Sequence, residues 1–409
     1  MTSTDEAQRA DAFAARVEAF LAERYPPRPR TLEHGWGDDS LVGAAFRESH
    51  DEVEDLRRAR AHQRELFDAG LAWLGGPREY GGAGLGPAER RAFAQVASRY
   101  EVPDVNGLLV GQEILAPAVL AHGTDEQRAR LLPALWSGDL VGCQLFSEPG
   151  AGSDLASLRT RAEKVDDGWV VNGQKVWSSG AHLSQVGELL ARTDPDPESR
   201  SRGLTMFVLD MAAPGVVVRP LRQMTGTAHF CEVFLDDVFL PDSAVLGEVG
   251  AGWAVANVSL SSERDNFGDE SADLFVRLFD RLVLLAHEVG ADTDATVRDR
   301  LADAYIREAI TELLPQSLAA GGGPVAGVGP SLVKLFATDA NRRLAQTALD
   351  LIGPSLVTDT GAWGTFAWSR VLLGLHATRI AGGTDEIQRN IIAERALGLP
   401  REPRPAARG

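Results

Sequence analysis

Residues 143–180 read CQLFSEPGAGSDLASLRTRAEKVDDGWVVNGQKVWSSG, and the chain changes character there. The turn dipeptides Asp167-Gly168 and Asn172-Gly173 stand between β-prone runs, so the spacing predicts hairpin connections. Further short β-prone runs follow at GLTMFVLDM, GVVVRPLRQM and CEVFLDDVFLP. Residues 139–247 are therefore expected to form an antiparallel sandwich or barrel.

Outward from this block, both flanks carry helical periodicity. On the N-terminal side Phe13, Val17, Phe20 and Leu21 share one helix face, and Val53, Leu56, Leu66 and Phe67 share another. Gly70 is placed to cap the second helix. Thr124 and Gln127 have the spacing of a capping box ahead of Leu131, Leu132 and Leu135. On the C-terminal side Leu274, Val276, Leu278, Leu282 and Leu285 predict one long helix, and Leu332, Leu335, Ala340 and Leu344 another. The run Leu313–Val333 contains prolines and glycines throughout and is expected to be a loop between helices. The order is α, β, α: a helical domain at 1–138, a β domain at 139–247 and a helical domain at 248–409, an α+β chain.

Composition narrows the function. A formal net charge of −17 opposes general binding to nucleic acid or anionic membrane. Cys143 and Cys231 give neither metal-ligand spacing nor a disulfide framework, and reduced, buried thiols point to the cytosol. The first twenty residues have no basic and no apolar region of a signal peptide.

Two glycine turns carry the candidate chemistry. Glu148-Pro149-Gly150-Ala151-Gly152-Ser153-Asp154 lets backbone come close to a flat or phosphorylated ligand. Gly382-Gly383-Thr384-Asp385-Glu386-Ile387-Gln388 sets a dense polar cluster before a helical pattern. An ordinary helix start with Thr384 as its cap is compatible with the second turn.

Together with PREYGGAGLG (Pro77 to Gly86), AHGTDEQRARLLPALWSGD (Ala121 to Asp139) and GGTDEIQRNIIAERALGLPR, the quoted stretch resembles the acyl-CoA dehydrogenase family, in order and over most of the chain. The resemblance implies an N-terminal helical domain, a middle β-barrel or sandwich and a C-terminal helical bundle. It implies FAD, held by Phe146, Ser147, Trp177, Ser179, Gly353, Thr384 and Glu386, with Ser147 and Ser179 donating to the ring and Trp177 stacking on it. It also implies α,β-dehydrogenation of an acyl thioester, with Ser153 and Arg264 toward the substrate. Electron-transfer flavoprotein is the implied acceptor, and a homo-oligomer (dimer or tetramer) or an α2β2 hetero-oligomer the implied assembly.

The sequence departs from the family pattern at two points. Many members carry the catalytic glutamate directly before the Gly-Thr of the last motif, where this chain has Gly382. Others carry it on the first long C-terminal helix in a Leu-x-x-Glu-Arg setting, which here is LSSER, so Glu263 is the candidate base. The Gly382 N–H keeps the implied role of donor to the thioester carbonyl. The family's Arg-Lys-Gln-Phe-Gly stretch, a pyrophosphate anchor, is absent, and its later glycine-rich turn is reduced to LIGPSL (Leu351 to Leu356). That leaves a half-site partner subunit, an oxidase and a carrier-protein dehydrogenase as alternative roles.

Overall fold

The computed structural model describes residues 3–28, 51–320, 325–358 and 367–401. Two compact units divide the chain: the described residues up to 223 with 227–259, and residues 224–226 with those from 260 onward.

The first unit begins with helices α1 (Ser3–Ala22), α2 (Glu52–Asp68) and α3 (Pro87–Ala97). Phe13, Val17 and Leu21 of α1 are buried with Leu66, Leu71, Leu74, Val96 and Tyr100, as an apolar stripe at helical spacing requires. Val53 does not join that face and is 67% exposed. It lies in the first turn of α2, whose buried positions begin only at Ala59. Gly70 follows α2 in the left-handed conformation that ends helices (φ 67°). Helices α4 (Asn106–Leu109), α5 (Ala116–His122) and α6 (Asp125–Trp136) follow. Thr124 and Gln127 form the expected reciprocal cap of α6. Gln127 also donates to the carbonyls of Ser243 and Val245, tying that cap to the end of the β region.

The β region is one 8-stranded sheet among the described residues. Its strands are β1 (Gly142–Leu145), β2 (Arg161–Val165), β3 (Gly168–Ser179), β4 (Val186–Arg192), β5 (Leu204–Asp210), β6 (Val216–Pro220), β7 (Phe230–Pro241) and β8 (Val245–Leu246). The order is β6-β7-β3-β2-β4-β5-β8, with β1 beside β4. Most pairs are antiparallel, while β1 runs parallel to β4. Cys143, Leu145, Trp169, Val171, Leu189, Phe207, Cys231, Leu235 and Val238 are packed in its core. Both cysteines are free thiols within it.

Asp167-Gly168 turns the β2–β3 hairpin, as expected. Asn172-Gly173 does not turn: it lies inside β3, where the register against β7 shifts. The Asn172 amide donates to Asp237 at 2.9 Å, and its oxygen accepts the Asp237 N–H at 3.0 Å. A Cβ on Gly173 would lie 2.3 Å from Thr160 Oγ1, so this glycine serves close packing opposite a bulge of β7 rather than a turn.

Helix α7 (Gly252–Glu288) spans the division. The second unit holds α8 (Ala295–Ala320), α9 (Gly329–Ile352), α10 (Ala367–Thr378) and α11 (Asp385–Arg395). Leu278, Leu282 and Leu285 of α7 are buried with Leu344, Ala348, Trp368 and Val371. The side chains of Leu274 and Val276 lie outside the described residues. The expected loop at Leu313–Val333 is shorter than the sequence suggests, because α8 continues to Ala320 through Pro315 and α9 starts at Gly329. Proline removes the N–H that would meet the Thr311 carbonyl, and the Thr311 hydroxyl turns back to the Arg307 carbonyl at 2.8 Å. Pro330 occupies the first turn of α9, where no intrahelical N–H is lost. No helix among the described residues is long and apolar enough to cross a membrane.

Candidate active site

The first glycine turn leaves β1 through Phe146, whose ring is buried. Its path is set by a buried ion pair. Lys175, fully buried, donates to the Phe146 carbonyl at 3.0 Å and to Glu148 Oε1 at 2.9 Å. The Glu148 carboxylate also accepts the backbone N–H groups of Arg159 and Thr160 at 2.7 and 2.8 Å. Burial alone would raise the Glu148 pKa, but Lys175 and the two N–H donors outweigh it and hold the carboxyl below its usual range. Burial pushes the Lys175 ammonium down to about 8, with Glu148 opposing the shift.

Around this anchor the backbone of Glu148 and Ala151 exchanges two hydrogen bonds at 3.0 Å. The Ser147 carbonyl accepts the Val176 N–H at 2.9 Å, joining the turn to β3. Ser153 is exposed. A Cβ on Gly150 or Gly152 would meet nothing within 4 Å among the described residues, and neither has a positive φ. Nothing among the described residues requires glycine at these two positions.

Near its end β3 bulges. Between Lys175 and Ser178 the register against β7 gains one residue on the β3 side. Trp177 sits in that bulge with φ 63°, a conformation that costs a bulky residue energy and that surrounding contacts must hold. The side chain is 61% exposed, so Trp177 is not a core aromatic. Its one ring contact among the described residues is edge-on with Phe230, centroids 5.9 Å apart. Ser178 is buried, and its hydroxyl has no hydrogen-bond partner among the described residues. Ser179 closes the strand and is half-buried. The sheet thus presents a strained, exposed indole beside small hydroxyl side chains, next to a glycine turn with room above it.

In the second unit, Gly382 and Gly383 both adopt left-handed backbone, φ 63° and 89°. Here glycine is required by conformation. Their carbonyls accept the Gln388 amide at 2.9 and 3.0 Å. A second buried lysine lies behind them: Lys334 donates to the Gly383 carbonyl at 2.7 Å, the Arg379 carbonyl at 3.3 Å and Asp385 Oδ1 at 3.4 Å. Arg379 donates to Asp385 Oδ2 at 2.7 Å, and the Thr338 hydroxyl reaches Oδ1 at 3.3 Å. Burial lowers the Lys334 pKa, and Asp385 counters it. Asp385 therefore braces the turn from inside.

Thr384 is the N-cap of α11, its hydroxyl accepting the Ile387 N–H at 3.2 Å. Glu386 is exposed and lies 3.5 Å from Arg389. Gly353 has φ 57° at the C-terminus of α9, where its N–H reaches the Leu349 carbonyl. Glu263 is half-buried on α7. The Arg264 side chain lies outside the described residues.

Sequence reasoning found the two glycine turns and missed what holds them. No local pattern announces a lysine that is buried against a carboxylate distant in sequence, as Lys175 and Lys334 are.

Comparison with known proteins agrees along the whole chain. Models of the N-terminal, middle and C-terminal domains of acyl-CoA dehydrogenases match residues 7–139, 143–238 and 250–397. The chain is 41% identical over 399 residues to the acyl-CoA dehydrogenase IpdE1 of Mycobacterium tuberculosis, covering 97% of this chain and 99% of that one. It is 38% identical over 384 residues to IpdE1 of Mycolicibacterium smegmatis, covering 90% and 96%. Among solved structures, a glycine-to-alanine variant of the Tcur3481–Tcur3483 steroid acyl-CoA dehydrogenase superposes with a TM-score of 0.76 at 25% identity, over 97% of this chain and 100% of that chain. The ChsE4–ChsE5 complex from Mycobacterium tuberculosis gives 0.72 at 25% identity, over 96% and 98%.

Proposed function

The chain belongs to the acyl-CoA dehydrogenase family of FAD-dependent oxidoreductases, and we propose that it dehydrogenates a bulky acyl-CoA, of the steroid-derived kind, with Glu263 as base. The observation that carries this reading is Trp177: an exposed indole held in a left-handed bulge, beside a glycine turn where an added Cβ would meet nothing among the described residues.

These residues suit a flat, phosphorylated cofactor. Trp177 would stack on its ring, and the Ser147 and Ser179 hydroxyls would donate to the ring edge. Phe146 would close the floor, and the Gly150–Gly152 backbone would allow the dinucleotide arm to pass close. By family likeness Gly353, Thr384 and Glu386 of the second unit would be further cofactor contacts. When bound, FAD supplies the hydride-accepting chemistry of the reaction. The chain's own contribution is at the substrate. Glu263 removes the α-proton. The Gly382 N–H donates to the thioester carbonyl as charge develops there. Ser153 meets the polar arm of the substrate.

The steroid class rests on the printed description of a structural relative, and a helix-borne base is in keeping with bulky acyl groups. Two such relatives are described as assemblies of two different chains. Combined with the missing pyrophosphate arginine, this favours an α2β2 assembly in which a second polypeptide completes the cofactor site. Electron-transfer flavoprotein is the acceptor in this reading, and the cytoplasm the compartment.

The test is the FAD-to-polypeptide ratio of this chain purified alone and after co-expression with a second acyl-CoA dehydrogenase-like chain. Low FAD alone and stoichiometric FAD in the co-purified complex is the expected result. No FAD in either preparation contradicts the assignment, and full FAD in the chain alone removes the need for the partner.

A further inference from the structure

A second polar cluster abuts the Trp177 bulge from outside both glycine motifs. Its centre is Glu52, in the first turn of α2. One carboxylate oxygen, Oε2, lies 2.9 Å from His182 Nε2, and the other, Oε1, lies 3.3 Å from His229 Nδ1. The second nitrogen of His182, Nδ1, lies 3.3 Å from the sulfur of buried Cys231. One carboxylate therefore holds two imidazoles.

Both imidazoles are joined to the bulge through the backbone. His182 lies in the single helical turn Ala181–Leu183 that follows Gly180, itself left-handed at φ 62°. The His229 carbonyl accepts the Gly180 N–H at 3.0 Å. Cys231 and Phe230 are the ladder partners of Ser178 and Ser179. Phe230 also meets the Trp177 ring edge-on. Glu52 thus grips the arm leaving β3 through His182 and the arm entering β7 through His229.

We propose that Glu52, acting through His182 and His229, is a positioning residue for the Trp177–Ser179 bulge, fixing the face that receives FAD. The role rests on the FAD reading above. A non-glycine residue at φ 63° persists only where its surroundings over-determine it, and the β3 members of the sheet's apolar core, Trp169 and Val171, lie well before the bulge. The ionisable groups acting on His182 are Cys231 on β7 and Glu52 on α2, with His229 sharing the Glu52 carboxylate. Hydrogen bonding to Cys231, then to Glu52, pushes the His182 imidazole up to about 9 against the effect of burial. Hydrogen bonds from His182, then His229, hold Glu52 down to about 2. The imidazolium–carboxylate pair is charged at neutral pH and dissolves as pH rises through about 9.

The experiment measures FAD affinity against pH, by flavin fluorescence, for the wild type, Glu52→Gln and His182→Gln, in whichever preparation of the protein takes up FAD. Wild-type affinity is expected to be flat near neutrality and to weaken about tenfold as pH passes about 9. In Glu52→Gln the break should move down toward the ordinary histidine range, and in His182→Gln it should vanish. Circular dichroism and the thermal midpoint of each variant report folding separately. Unchanged affinity and an unchanged break in both variants would overturn the role. So would a uniform loss of affinity with the break unmoved, which marks structural support alone. A wild type that takes up no FAD in any preparation overturns the functional reading, and this role with it.

Discussion

The two glycine turns of the candidate site are braced by the same device and shaped in opposite ways. Behind each lies a buried lysine that donates to a turn carbonyl and to a buried carboxylate: Lys175 with Glu148, and Lys334 with Asp385. In the first turn the glycines have ordinary backbone and open space among the described residues, which leaves room for a ligand. In the second the glycines are left-handed, so their smallness serves the chain's own path. A glycine-rich motif is thus two different statements, one about a ligand and one about φ, and sequence alone does not separate them.

The braces differ in redundancy, and substitution exposes it. Lys175→Met leaves Glu148 buried with only its two backbone donors, and a loss of about 3–5 kcal/mol is expected from denaturant unfolding. Lys334→Met leaves Asp385 with Arg379 and Thr338, so about 1–3 kcal/mol is expected. Equal losses would mean that the Arg379 contact contributes nothing.

A smaller pair of effects sharpens the contrast between the glycines. Gly383→Ala places a Cβ 2.8 Å from the Gln388 amide at φ 89° and should cost about 1–2 kcal/mol in the same measurement. Gly150→Ala should change stability by less than about 0.5 kcal/mol, with its effect confined to FAD affinity. A large stability loss at Gly150 would show that this turn, too, is shaped by its own backbone.

Much of the architecture was legible in the sequence, because helical stripes such as Phe13–Val17–Leu21 and the capping box at Thr124 and Gln127 are local patterns with local causes. Reading failed where a distant partner decided the outcome. Asn172-Gly173 has the chemistry of a turn, but Thr160 and the Asp236–Asp237 bulge of β7 hold it inside a strand. Pro315 has the chemistry of a break, but α8 continues through it. Val53 has the chemistry of a core residue at a position that stays exposed among the described residues. At the site, Trp177 was found by motif, whereas its left-handed backbone and the Glu52–His182–His229 clamp beside it depend on pairing between β3, β7 and α2. Glu263 was singled out by its Leu-x-x-Glu-Arg setting together with the missing side chain at Gly382, and it remains a proposal.

The most direct test of the central claim is anaerobic mixing of the FAD-loaded protein with a set of acyl-CoAs running from short branched to polycyclic acyl groups, wild type against Glu263→Gln. The expected result is that at least one acyl-CoA bleaches the wild-type flavin, while Glu263→Gln keeps its FAD and bleaches at least about 100-fold more slowly. Bleaching of the variant at the wild-type rate would contradict the assignment of Glu263 as the base.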